Sequence, residues 1–280
     1  MLFVLKLAVS SACLYYIYVR LVDEPPADWR LAHWLVDRRY QLALLWVGLL
    51  LPANWYLEII KWQRCIRPIA VASRAFAAAA VFRGLALNWV IPFGLGDFMG
   101  RMLGIPRTRA SVKAIMICRT YALAVTGFFG CLSLLALYGS MRSFWTVTLF
   151  VVAVIIGACL IYLDKLYSWK DHGVLALLTT ARYLIFFLQL FVLLTVVAPE
   201  VPAVVVVTGI GAVFLFRSIV PSFLGALGVR EAAIVFVFSP YVPNAAPLLM
   251  ASFSLWVINI VLPSLIGVWP LLVYRFKSSV

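Results

Sequence analysis

The chain is dominated by continuous apolar runs that recur from its beginning to its end. A helix of about 20 apolar residues spans the ~30 Å hydrocarbon core of a bilayer. Of the 280 residues, 65% are hydrophobic and 12% are charged, which is more apolar surface than a water-soluble domain of this length can bury. Barrel strands alternate polar and apolar residues over about ten residues, whereas these runs do not alternate. The sequence therefore predicts an all-α polytopic membrane protein.

Candidate membrane segments follow one another with short loops between them. The first carries Lys6 and has no clear small-residue cleavage site, so we interpret it as a first span and not as a removed signal peptide. The candidates are Leu2–Val22, Gln41–Ile60, Ala75–Met102, Ala110–Tyr138, Phe144–Leu163, Gly173–Ala198, Ala203–Ser239 and Pro247–Tyr274.

Two of these segments are broken by proline and glycine. The third contains "IPFGLGDFMG", with Pro92, Gly94 and Gly96, and the seventh contains "VPSFLGALGVRE", with Pro221. Proline and clustered glycine interrupt a helix, and the backbone groups that become free need partners at membrane depth. Non-helical backbone is tolerated there where it is buried in protein or lines a cavity, so both breaks are predicted to line a site. Ordinary kinks in spanning helices are the alternative.

The charges of the flanking loops indicate how the broken segments run. Excess Lys and Arg mark cytoplasmic loops. Basic residues lie on both sides of the third segment, which therefore enters and leaves on the cytoplasmic side as a re-entrant hairpin. The loops around the seventh segment carry only Glu200, so this segment is predicted to enter from outside. The basic residues around the third segment are Lys61, Arg64, Arg67, Arg74, Arg107, Arg109 and Lys113.

The other loops complete the predicted topology. The turn 139–143 has Arg142 alone and is placed outside, whereas Lys165 and Lys170 place the next turn inside. Arg275 and Lys277 place the C-terminus inside, and the predicted topology places the N-terminus inside as well. We expect about six spanning helices and two re-entrant hairpins, arranged as an inverted-topology repeat of residues 1–139 and 140–280. Interrupted segments at corresponding positions of two inverted halves indicate a transporter's substrate site.

Ionisable side chains at membrane depth are costly and are functional candidates. Arginine dominates them, and its planar charged fork fits phosphate or carboxylate groups. Helix N-termini at the breaks also favour anions. The predicted anion site draws on Arg83, Asn88, Asp97, Arg101, Arg119, Arg182, Arg217, Gly225, Gly228, Arg230 and Glu231.

Several of these residues have structural alternatives. Arg230 and Glu231 could pair with each other, or with Asp97 and Arg101 across the two breaks. Arg101, like Glu58, lies near a predicted span end, from which its side chain could reach the interface.

Neutral residues near the breaks have predicted backbone roles. Asn88 precedes Pro92 by four residues and could bond carbonyls that the break leaves free. Gly225 and Gly228 would allow positive φ and the close approach of a headgroup.

The net charge of +13 does not indicate nucleic-acid binding, because membrane proteins concentrate Lys and Arg in cytoplasmic loops. The cysteines show no CxxC or metal-ligand spacing, so no disulfide framework, metal or cofactor is predicted. They are Cys13, Cys65, Cys118, Cys131 and Cys159.

The motifs at the two breaks resemble those of the flippase-like transmembrane region of lysylphosphatidylglycerol synthases. That family has roughly P-x-x-x-G-G-L-G-V-R-E, and here Pro221 is followed by "GALGVRE" ending at Glu231. Its first motif is similar to N-x-x-x-P-x-x-x-G-[DE], which Asn88, Pro92, Gly96 and Asp97 match.

A third part of the resemblance is incomplete. In the family an arginine follows the first motif, and Arg101 lies one residue later than that position. Arg119 matches an arginine that the family pairs with acids, but Cys118 and Ala122 occupy the acidic positions.

The resemblance implies flipping or scrambling of an anionic lipid or polyprenyl-phosphate-linked intermediate in the cytoplasmic (inner) membrane of a prokaryote. No aminoacyl-transferase domain is recognised, so synthase activity is not expected. One alternative is a membrane glycosyltransferase with a polyprenyl phosphosugar donor, for which Asp23, Glu24 and Asp28 offer a catalytic acid. A non-catalytic scaffold is a third possibility, against which the charged broken helices argue.

Overall fold

The computed structural model describes residues 2–22, 36–91, 95–138, 166–220 and 228–277, which form helices and connecting turns without any strand. The helices are α1 (Leu2–Val22), α2 (Arg38–Ile66), α3 (Arg74–Val90), α4 (Leu95–Met102), α5 (Arg109–Tyr138), α6 (Trp169–Val197), α7 (Ala203–Ile219), α8 (Val229–Phe238), α9 (Ala245–Trp256) and α10 (Leu262–Lys277). A π-helical turn, Val257–Val261, joins α9 to α10. The all-α prediction is confirmed for these residues.

Four helical segments of the described chain are long and apolar enough to cross a membrane: α2, α5, α6 and the continuous stretch Ala245–Val273. The apolar span within each comprises 29 residues (Arg109–Leu137 in α5), or about 44 Å at 1.5 Å per residue. Large apolar side chains such as Trp46, Leu184 and Trp269 are exposed on the protein surface, as contact with lipid requires. The predicted span Phe144–Leu163 lies outside the described residues.

The chain divides into two compact units. Unit 1 comprises Met1–Leu51, Thr126–Phe150 and Ile185–Ile258, and unit 2 comprises Pro52–Val125, Val151–Leu184 and Asn259–Val280. Each of the four long segments contributes residues to both units. The units therefore do not coincide with the predicted halves, residues 1–139 and 140–280, and that repeat remains a prediction.

In unit 2, α3 and α4 form an antiparallel helical hairpin. The backbone of Gly100 lies against that of Gly84, and the backbone of Gly96 lies against Leu87 and Asn88. Residue numbers rise along one helix as they fall along the other, which defines the antiparallel direction. A Cβ atom at Gly96 or Gly100 would overlap backbone atoms of α3, so glycine permits this close approach.

In unit 1, α7 and α8 form the second hairpin. Phe238, near the end of α8, packs against Gly209 of α7, and Phe236 contacts Phe216 with ring centroids 6.4 Å apart. Gly228 begins α8 with a φ of 88°, which confirms the predicted positive φ at this position. Pro92, Gly94, Pro221 and Gly225, at the predicted breaks themselves, lie outside the described residues.

Buried amide side chains link helices within each unit. Asn54 Nδ2 donates to Asn259 Oδ1 at 2.7 Å in unit 2, and Gln189 Nε2 donates to the Val47 carbonyl at 2.9 Å in unit 1. In unit 1, the Tyr40 hydroxyl also lies 2.7 Å from Ser254 Oγ. Such bonds between helices satisfy polar groups that neither lipid nor apolar side chains can satisfy.

We predict that Gly100→Ala lowers the midpoint of thermal unfolding in detergent, because the added methyl group meets the backbone of Gly84. Overpacking of this kind typically costs about 1–3 kcal/mol. Gly127→Ala is the matched control, since a Cβ atom there meets nothing within 4 Å. Helix propensity alone should leave that variant at least as stable as the wild type. Equal midpoints for the two variants would exclude the close α3–α4 contact.

Candidate functional site

The candidate site in unit 2 begins at the first turn of α4, directly after the first break. Asp97 occupies this turn, and its backbone N–H lies 3.3 Å from Asn88 Oδ1 of α3. Asn88 thus accepts a hydrogen bond from the N-terminus of α4, whereas the sequence suggested that it would donate to free carbonyls. The contact holds the start of α4 against α3 and fixes the position of the Asp97 carboxylate.

Arg101 connects the hairpin to α2. Its Nε lies 2.8 Å from Asp97 Oδ1, and its Nη2 lies 2.8 Å from Glu58 Oε1. The guanidinium also lies over the Trp62 ring, 5.3 Å from the ring centroid. The Arg101 side chain is 9% exposed, so it does not reach outward to the interface. Asp97 thus pairs with Arg101 of the same hairpin, an ion pair that was not predicted from the sequence.

Glu58 is the carboxylate on which three cations converge. Besides Arg101, it contacts Lys61 Nζ at 2.6 Å and Arg182 Nη1 of α6 at 2.9 Å, both through Oε2. Its side chain is only 4% exposed. The snorkelling alternative for Glu58 is therefore wrong, because α2 continues past it to Ile66 and protein surrounds the carboxylate.

Arg119 of α5 joins the same network through Asp97. Its Nη2 lies 3.3 Å from Asp97 Oδ2, and its side chain is 39% exposed. The family resemblance suggested acids near Arg119 in sequence, at the positions that Cys118 and Ala122 occupy. The carboxylate that pairs with it comes instead from the hairpin, 22 residues away.

Arg83 lies on α3 and has contacts of another kind. Its Nε donates to the Ala79 carbonyl at 3.2 Å, and its Nη2 donates to the Leu103 carbonyl at 3.0 Å. The guanidinium also lies 5.9 Å from the Phe76 ring centroid. Arg83 thus links the end of α4 to α3, and its predicted role in anion binding stays a prediction.

A second charged cluster, in unit 1, surrounds the first turn of α8. Arg230 Nη2 lies 2.8 Å from Glu231 Oε1, while Arg230 Nε donates to Ser252 Oγ and Nη2 donates to the Ser252 carbonyl, both at 2.8 Å. Glu231 Oε2 accepts from the Gly228 N–H at 2.8 Å. The predicted Arg230–Glu231 pair is present, and Arg230 is 1% exposed.

Arg217, in the last turn of α7, lies over the Phe186 ring at 5.8 Å from its centroid. Cation–π contacts of this kind stabilise a guanidinium in apolar surroundings. The contact places Arg217 against α6 within unit 1. Its predicted contact with a substrate anion stays a prediction.

Sequence reasoning missed several residues of unit 2. Lys61 was counted with a loop, although it lies inside α2 beside Glu58. Trp55 supports the Arg182 guanidinium at 5.1 Å from its ring centroid. A signal existed in the sequence, since Trp55, Glu58 and Trp62 recur at helical spacing on one face of α2.

A disulfide joins Cys65 of α2 to Cys118 of α5. The prediction of no disulfide framework is wrong for this pair, because cysteines 53 residues apart carry no spacing signal. The Tyr167 hydroxyl donates to the Cys65 carbonyl, and Tyr121 Oη lies 2.7 Å from His172 Nδ1. Because Cys118 precedes Arg119, the bond fixes the helix that carries this arginine to the helix that carries Glu58.

Neither a comparison with protein-family models nor a search of curated proteins finds a match to this chain. The resemblance to the flippase-like region therefore stays an expectation based on the motifs at the two breaks. Asp23, Glu24 and Asp28, on which the glycosyltransferase alternative depends, lie outside the described residues.

We predict that Glu58→Gln lowers the thermal unfolding midpoint strongly, because three cations then meet a neutral amide. Removing one partner of a buried ion pair costs about 3–5 kcal/mol. Glu200→Gln is the control, since Glu200 is exposed and surface substitutions change stability by about 0.5 kcal/mol or less. Similar midpoints for both variants, measured in the same detergent, would show that Glu58 does not hold the network together.

Proposed function

We propose that this protein is a membrane transporter that moves an anionic lipid, or a polyprenyl-phosphate-linked intermediate, between the two leaflets. The substrate headgroup binds at the ion-pair network of unit 2. The chain carries out no covalent chemistry in this proposal, and needs no cofactor.

The observation that carries the proposal is the position of Asp97. It lies in the first turn after the break, and through Arg101, Glu58 and Arg119 it connects the hairpin to α2 and α5. Ion pairs exchange partners readily when another anion arrives, since the arginine fork binds phosphate as well as carboxylate. A headgroup that competes with Asp97 for arginine would loosen the hairpin and so couple binding to movement.

The lengths of the hairpin arms support re-entrance. The arms have 17 and 8 residues in the first hairpin, and 17 and 10 in the second. At 1.5 Å per residue the short arms extend only about 12 and 15 Å, well below the ~30 Å of a bilayer core. We propose that both hairpins enter the membrane and return, within an inverted repeat in the cytoplasmic membrane whose termini face the cytoplasm.

Cysteine labelling tests this topology. In a background without Cys13, Cys131 and Cys159, we expect Arg67→Cys and Arg109→Cys to react with an impermeant maleimide only from the cytoplasmic side. Residues 67 and 109 flank the first hairpin and carry the predicted cytoplasmic charge.

The corresponding positions around the second hairpin are Glu200 and Asn244. We expect Glu200→Cys and Asn244→Cys to react only from outside. If the two positions of either pair react from opposite sides, that segment spans the membrane and the inverted repeat is wrong.

For transport, we predict that Asp97→Asn reduces leaflet exchange of fluorescent anionic lipids in proteoliposomes by about tenfold or more, since one ion-pair link to the hairpin is worth about 1.4 kcal/mol or more. The Asn side chain keeps the shape of the site but loses the charge that holds Arg101 and Arg119. Glu200→Gln, which removes an exposed carboxylate, should exchange lipid at the wild-type rate. Wild-type exchange by Asp97→Asn would remove Asp97 from the mechanism.

A further inference from the structure

Among the described residues, the surroundings of Glu58 contain more positive than negative charge. Lys61, Arg101 and Arg182 all lie within 2.9 Å of its one carboxylate. Asp97, the other carboxylate of the network, has Arg119 as a second cationic partner. The charges of Asp97 and Arg119 cancel each other. The remaining four charges, on Glu58, Lys61, Arg101 and Arg182, sum to +2. Like charges repel strongly where water is excluded, so this arrangement favours an additional anion.

Hydrogen-bond donors are also in excess at the same place. Among the described residues, nothing accepts a hydrogen bond from the buried Nε of Arg182 or from the indole N–H groups of Trp55 and Trp62. Trp55 is 6% exposed and Trp62 is fully buried. Buried donors almost always have acceptors in native structures. The same cluster also holds one buried acceptor without a hydrogen bond, Glu58 Oε2, which makes ion-pair contacts with Lys61 and Arg182. Three unmatched donors therefore stand against one unmatched acceptor.

Arg182 is the accessible member of this group. Its side chain is 28% exposed, whereas those of Lys61 and Glu58 are 4% exposed. Its guanidinium lies over Trp55, so the Arg182 Nε–H and the Trp55 indole N–H belong to one contact pair. Both donor atoms are themselves buried, so an anion that approaches the exposed part of Arg182 reaches them only when the guanidinium turns away from Glu58.

We propose that Arg182 and Trp55 form a binding subsite for a phosphate monoester dianion, with Glu58 as the carboxylate that the ligand displaces. A phosphate monoester carries a charge of about −1.5 to −2 at neutral pH and has three strong acceptor oxygens. It therefore matches both the surplus of two charges and the surplus of donors. A phosphodiester carries one charge and two free oxygens, and satisfies neither. This inference rests on the proposed function for its location and names the substrate class.

Binding to purified protein in detergent tests the subsite separately from transport. The probes are phosphatidic acid, a lipid phosphate monoester, and phosphatidylglycerol, a phosphodiester with the same acyl chains. We expect phosphatidic acid to bind the wild type about tenfold more tightly, since one additional charge-assisted interaction is worth about that factor. Ligand-induced shifts of the unfolding midpoint, titrated against lipid concentration, report the affinity. Equal affinities would overturn the proposal.

Two variants locate the site. Trp55→Phe keeps the aromatic ring under Arg182 and removes only the N–H, and we expect it to lose most of the preference for phosphatidic acid. Trp46→Phe is its control, because Trp46 lies on the same helix and is 62% exposed. Arg182→Gln should also lose the preference, with Arg64→Gln, an exposed residue of α2, as the control for net charge. Unchanged preference in folded Trp55→Phe would overturn the assignment.

A third arm distinguishes a lipid from a soluble ligand. Inorganic phosphate that displaces phosphatidic acid at comparable concentration would identify a soluble phosphate as the ligand and would support the dianion site. Without such displacement, the site takes the lipid headgroup. If the protein exchanges phosphatidylglycerol between leaflets with no preference for phosphatidic acid, the proposed transport stands and this subsite is overturned. Monoester binding without exchange of any lipid would support the subsite and reject the transport function.

Discussion

The contact on which unit 2 most depends is the convergence of three cations on the Glu58 carboxylate. It links α2, through Glu58 and Lys61, to the hairpin through Arg101 and to α6 through Arg182. Burying an isolated charge in an apolar interior is strongly unfavourable, so the buried Lys61 and Arg101 need an anion beside them. Glu58 thus determines where three separate stretches of the chain meet, and the Asp97 contact extends the same control to α5.

The sequence predicted the described helices well, including the helix ends on either side of both breaks, because these depend on local signals. Apolar runs and proline or glycine clusters located α3 and α4, and α7 and α8, to within a few residues. The pairing of charges was harder to predict, because it depends on tertiary packing. Ending the second span at Ile60 put Glu58 near an interface and Lys61 in a loop. In the structure α2 continues to Ile66, and these two side chains form a buried ion pair within it.

The Cys65–Cys118 disulfide shows a second limit of sequence reasoning. Its cysteines are 53 residues apart in apolar helices, a context in which cysteine usually acts as a small hydrophobic residue. Disulfides are rare where soluble thiols keep cysteines reduced, yet Cys65 lies beside the basic residues that predict a cytoplasmic loop. Burial reconciles the two observations: Cys65 is fully buried and Cys118 is 5% exposed, so thiols in solution have little access to either sulfur.

The two buried glutamates differ in a way that bears on function. Glu231 forms an ion pair with one arginine, Arg230. Its carboxylate also accepts hydrogen bonds from the Ser252 hydroxyl and the Gly228 N–H, so charge and donors are balanced. A balanced cluster of this kind gains nothing from an additional anion and fits a structural role at the start of α8. Glu58 has three cations and neighbouring donors without acceptors, so an arriving anion would improve both the electrostatics and the hydrogen bonding. An anion binds where the free protein has unmatched positive charge and donors without acceptors. Of these two glutamates, only Glu58 has such surroundings.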